Sequence, residues 1–118
     1  MSDLALLYIP VASTVDGDAF TAEVQFKDTA SASLSAPGAV EFRIDDVTDP
    51  ASPVLVLDWT AVTADDAVSI AIASSYNAIL TAAHEYERKQ LTVTGDRGQT
   101  FQCSAQKVWT VRNSRFGT

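Results

Sequence analysis

Three short segments of this chain alternate apolar and polar side chains with a strict period of two. In FTAEVQF at 20–26, Phe20, Ala22, Val24 and Phe26 share one parity, and Thr21, Glu23 and Gln25 the other. VEFRI at 40–44 sets Val40, Phe42 and Ile44 against Glu41 and Arg43, and VSIAI at 68–72 aligns Val68, Ile70 and Ile72. Successive side chains of a strand point to opposite faces, so this alternation marks strands with one face buried and one in water. Several such strands separated by turns predict an all-β antiparallel sandwich. The same parity nominates its core: Phe20, Val24, Phe26, Val40, Phe42, Ile44, Leu55, Leu57, Trp59, Val68, Ile70, Ile72, Leu91, Val93, Phe101, Trp109 and Val111.

The rest of the chain fits between these strands. A first strand is expected at 4–9, apolar on both faces and closed by Pro10. DGD at 16–18 is a turn, and the small polar run 28–39 reads as a loop with a short edge strand around Ala32–Leu34. VLVLDW at 54–59 is apolar on both faces, which predicts a strand buried between layers. In 74–87, Tyr76, Ile79, Leu80 and Ala83 recur at helical spacing, and Ser74 or Ser75 can cap. One or two helical turns should cross there between the sheets. Residues 91–93, the GDRG turn at 95–98 and 100–111 form the clearest hairpin, with Asp and Gly supplying the turn geometry. Tyr86 is out of phase with Leu91 and Val93, predicting either a bulge near Arg88–Lys89 or a Tyr86 that belongs to the crossover. No repeat or linker divides the chain. Residues 1–118 read as one domain of about seven strands, with 1–19 a first strand and loop, and 112–118 a polar tail.

Charge and composition narrow the function. A net charge of −7 argues against a nucleic-acid surface, which needs Lys and Arg to neutralise phosphates. LALLYIPVA at 4–12 is too short to span a membrane, and Asp3 with no preceding cation is unlike a secretory signal. A lone cysteine rules out an intrachain disulfide, pointing to folding in a reducing cytosol. Cys103 shares parity with Trp109 and Val111 and reads as core filler. Residues 1–66 hold 12 acidic and 2 basic side chains, a charge of −10; residues 67–118 hold 3 and 6, a charge of +3. Two surfaces of opposite sign would suit docking onto a larger assembly.

The chemistry of a catalyst is hard to assemble from these residues. His84 and Cys103 are single soft ligands where zinc takes three or four, and His84 beside EYER reads as a surface residue. There is no nucleophile-elbow motif and no glycine-rich phosphate loop. Nearly every carboxylate falls in a turn or at outward parity, Asp58 excepted, so no inward carboxylate pair suggests glycoside hydrolysis. The acidic turns leave calcium as the one candidate ligand, with Asp45, Asp46 and Asp49 the best donors, although the twelve-residue calcium-loop spacing is absent. The expectation is a protein that is not an enzyme and takes no cofactor.

The run VSIAI…NAIL…YERKQLTV…GQTF…VWTVRN, over about residues 66–113, resembles small immunoglobulin-like accessory proteins of tailed-phage particles. Trp59, VSIAI and the 86–101 hairpin region likewise resemble an immunoglobulin-like or fibronectin-type sandwich, without the disulfide and tyrosine corner of antibody domains. The likeness lies in core and turn positions, so it carries no functional residue with it. It implies a virion structural or decoration subunit, made and folded in the host cytoplasm, that docks onto a major capsid or neck protein. Neither nucleic acid nor membrane is an expected partner; homo-oligomerisation is left open. The alternative is a carbohydrate- or protein-binding module of a fibre or cell surface. For docking, the tail offers Arg112, Arg115 and Phe116, residue types enriched at interface anchors.

Overall fold

The computed structural model describes residues 3–10, 12–28, 38–65, 67–96 and 103–115. Two sheets face each other. One has the order β1 (Asp3–Tyr8), β3 (Phe20–Asp28), β6 (Ala67–Ile72). The other runs β2 (Ser13–Val15), β8 (Cys103–Arg112), β7 (Tyr86–Gly95), β4 (Val40–Asp46), β5 (Val54–Val62). The fold is an all-β sandwich.

Parity places the core where the alternation predicted. Val24, Phe26, Val40, Phe42, Ile44, Val68, Ile70, Ile72, Leu91, Val93, Trp109 and Val111 are all buried, and Ala22 and Leu7 join them. Phe20 is half-buried and meets Trp109 edge-to-face, ring centroids 5.3 Å apart. Phe101 lies outside the described residues, as do the edge strand expected at Ala32–Leu34 and most of the GDRG turn.

Two expectations need correction. The described strands number eight, and one pairing is parallel: β2 runs alongside β8, Ser13 opposite Thr110. Ser13–Val15 shows no alternation because backbone bonds hold this short strand; Thr110 N–H donates to Ala12 O and Asp16 N–H to Arg112 O. Second, β5 is an edge strand and not a central one. Leu55 is 48% exposed, and Leu57 and Trp59 are only half-buried. Apolarity on both faces misled, because β5 has an open outer face and two register shifts against β4 that break its alternation. The expected short helical crossover is present as a single 3-10 turn, Ser74–Asn77, entered from Ala73 without a side-chain cap. The helical spacing of Ile79, Leu80 and Ala83 forms no helix. Gly95 pairs with Cys103, and residues 97–102 between them lie outside the described residues. Asp96 does take the left-handed backbone expected of that turn, at φ 54. Its carboxylate accepts the Ala39 N–H at 2.9 Å, and its own N–H donates to Ala39 O, which fixes the entry to β4.

Candidate functional site

Glu87 and Lys89 share the parity of Leu91 and Val93 on β7, so strand geometry turns both charges inward. The register against β8 is unbroken: Glu87 faces Val111, Lys89 faces Trp109 and Leu91 faces Lys107. Tyr86 therefore belongs to β7 and points outward, 50% exposed. Neither a bulge nor the crossover explains its phase. The inward partners of the apolar set are simply charged.

These charges close on one another. Lys89 Nζ donates to Asp46 Oδ2 at 2.6 Å and to Glu87 Oε1 at 3.1 Å. Lys89 has no exposed surface, and Glu87 and Asp46 have almost none. Asp46 reaches this position because it continues the inward series Val40, Phe42, Ile44 along β4. The second oxygen of Asp46 accepts the Thr48 N–H. Glu87 accepts the N–H of Leu80 at 2.7 Å and of Thr81 at 2.9 Å, and Oε2 lies 2.9 Å from His84 Nδ1. Burial pushes both carboxyls upward, but these bonds outweigh it and hold both below their usual values. At Asp46 the bonds come from Lys89 and Thr48; at Glu87, from Leu80, His84, Thr81 and Lys89.

His84 is the most exposed member of the cluster, its side chain 43% exposed. Each carboxylate already accepts bonds from the chain itself, and a general base must instead reach a substrate proton. What the cluster does is mechanical. Glu87 ties the crossover segment 80–84 to the sheet, and Lys89 joins β7 to β4.

A second polar group lies beside it. Trp109 Nε1 donates to Asn77 Oδ1 at 2.7 Å, and Asn77 Nδ2 donates to Asp18 O at 2.7 Å. Asn77 is fully buried and joins the 3-10 turn, β8 and the Asp16–Asp18 turn. Gly17 in that turn has φ +85, the left-handed region that glycine enters without strain. Its N–H donates to Asn77 O. Buried Asn113 donates through Nδ2 to Ala82 O and His84 O, and its Oδ1 accepts the Arg115 N–H.

The nominated sites are placed as follows. Asp45 faces outward, paired with Arg43 at 2.6 Å; Asp46 faces inward; Asp49 sits in the following turn, where it accepts the Ala51 N–H. The three carboxylates diverge, and among the described residues no three His, Cys, Asp or Glu side chains gather as a metal site would need. Arg112 is exposed at the end of β8, next to Tyr86 in register. Arg115 lines a cleft of about 440 Å³ with Asp16, Ile79, Ala82 and Asn113. Phe116 lies outside the described residues. The segment before it is anchored: Ser114 N–H donates to Asp16 Oδ1 at 2.7 Å, and that bond lowers the Asp16 carboxyl. His84 is half-buried and bonded to Glu87 where a plain surface residue was expected. The side chain of Cys103 lies outside the described residues.

Glu87, Lys89, Asn77 and Asn113 escaped the sequence reading. The first two carried a signal, since their parity matches Leu91 and Val93; the two asparagines carried none. No protein-family model matches this chain, and a search of curated proteins finds no significant relative.

Proposed function

We propose that the chain is a structural docking subunit of a virus particle, an accessory or decoration domain seated on a capsid or neck protein of a tailed phage. The observation that carries the docking part is the distribution of exposed apolar side chains. Leu6 and Tyr8 stand 48% and 61% exposed on β1, and Val54 and Leu55 52% and 48% exposed on β5. Clusters of this kind on strands mark contact surfaces. Asp46, Glu87 and Lys89, meanwhile, are turned inward and hold the fold together. The phage assignment rests on the sequence resemblance, and Arg112 and Arg115 remain its candidate anchors, both at the anchored C-terminal end.

Mass spectrometry of purified particles from the producing strain tests the reading. Stoichiometric copies are expected, and Arg112→Ala with Arg115→Ala should lower occupancy more at low salt than at high salt, where these charges are already screened. Truncation of 112–118 is a poorer test, because it also removes Asn113 and Ser114 from the fold. Particles lacking the protein would overturn the proposal, as would unchanged occupancy for the arginine anchor. One observation favours the alternative glycan- or protein-binding module: Trp59 faces outward, with the Arg43 guanidinium 5.6 Å from its ring. Quenching of tryptophan fluorescence by an oligosaccharide would support it.

A further inference from the structure

The two sheets differ in width. β1 lies along β8, so β1, β3 and β6 reach across β8, β7 and β4, and no described strand lies opposite β5. Burial follows that count. Val40, Phe42 and Ile44 on β4 are at most 5% exposed, while no residue of β5 is fully buried. An open cleft of about 770 Å³ lies where the two strands meet, lined by Val62 at the end of β5, Thr63, Asp65, and Ala67, Val68 and Ser69 at the start of β6.

Among the described residues β6 is the last strand of its sheet, so one row of its backbone N–H and C=O groups has no strand beside it. Proteins usually blunt such an edge with Lys, Pro or a bulge. AVSIAI carries none of these, and its register with β3 is unbroken. The β5 edge is blunted, by two register shifts and by Asp58.

We propose that the cleft between β6 and β5 takes an extended segment of a partner protein. The segment adds to β6 as a fourth strand and lays alternate apolar side chains on the inner face of β5, on Val62 at the cleft and on half-buried Leu57 beyond it. Main-chain bonds would supply affinity and the cleft floor would supply selectivity. A second copy joined edge to edge through β6 does not fit, because its β4 would fall where β5 already runs. A free segment meets no such obstacle. With a net charge of −7 and Asp65 at the cleft, a segment flanked by Lys or Arg is favoured. The inference stands on the cleft alone and names the partner's conformation, so it survives or fails independently of the particle reading.

The test uses the full chain, isotope-labelled, with octapeptides alternating Val and Thr between terminal lysines, in both registers. Saturable binding is expected, with amide exchange slowed in 67–72 and resonance shifts at Leu57 and Val62. Val62→Lys should weaken binding about tenfold or more, and Ala71→Lys, on the outer face of β6, should not. If Val62→Lys fails to fold, Leu57→Lys serves, and the exchange map needs neither variant. Four results would overturn the proposal: no binding in either register; equal binding by peptides with a central proline; protection on β1 or β5 instead of β6; or β6 protection that rises with protein concentration alone, which would mean self-pairing.

Discussion

Strand β7 is two regions on one face. Its upper half points Leu91 and Val93 into the sandwich, and its lower half points Glu87 and Lys89. All four are buried to within 1%. The upper pair is stabilised by removing apolar surface from water, and needs only neighbours of suitable volume. The lower pair must replace its lost hydration with specific partners, and finds them in Asp46, His84 and the backbone of Leu80 and Thr81. The difference teaches that strand parity decides where a side chain points, and not what its surroundings must be. It also assigns the halves different work. The apolar half joins sheet to sheet, and the ionic half fastens the crossover between them.

The largest expected effect comes from breaking the ionic half. Lys89→Met removes the one cation between two buried carboxylates, and should cost about 3–5 kcal/mol in denaturant unfolding. Adding Asp46→Asn should recover part of that loss, since the stranded charge is then gone. A Lys89→Met variant as stable as the parent would abolish the distinction between the halves. In the apolar half, Leu91→Ala should cost about 2–5 kcal/mol through cavity formation, with no such rescue by a change at Asp46.

Acid sharpens the same contrast. Asp46 and Glu87 have carboxyls held below their usual values, so folding is favoured above the ordinary carboxylate range. That contribution is lost as pH falls from about 4 through the lowered values. Lys89→Met leaves only the Thr48 bonds to oppose burial at Asp46, so its carboxyl rises. Protonation relieves the variant as pH falls through that raised value, and the parent loses its own contribution below about 4, so the gap between them should narrow steadily as the solution is acidified. The Leu91→Ala gap should stay nearly constant over the same titration.

How much of this was legible follows from the same two halves. Alternation located the strands because one face was apolar and the other polar, as at Phe20–Phe26 and Val40–Ile44. It failed where that contrast did not exist. Glu87 and Lys89 are polar residues on the buried face, and Tyr86 between β7 and the crossover looked like a phase error. β5 was apolar on both faces, so nothing in VLVLDW distinguished a central strand from an edge one; only its neighbours decide that. β2 is held by backbone bonds that any sequence can make. Asn77 and Asn113 act through contacts with residues 29 or more positions away, which no local pattern encodes.

Smaller effects probe the polar group beside the ionic half. Trp109→Phe keeps most of the buried ring but leaves Asn77 Oδ1 without its donor, for a loss of about 1–3 kcal/mol. His84→Ala removes one of several bonds to Glu87 at a half-exposed position, and about 1 kcal/mol or less is expected.

The smallest effect on folding should come from β5, where the comparison ends. Leu55 stands opposite Asp45 on the outer face, about half exposed. Replacing it with Ser removes apolar surface that water already reaches, so stability should change by less than about 0.5 kcal/mol. Docking is the property it should change. If the exposed residues of β5 serve a contact, Leu55→Ser lowers occupancy on particles while the melting curve stays in place. A residue that mattered only for packing would move both together, and one that mattered for neither would move nothing. Leu91→Ala is the control, because it should lower stability first and occupancy only as the folded fraction falls.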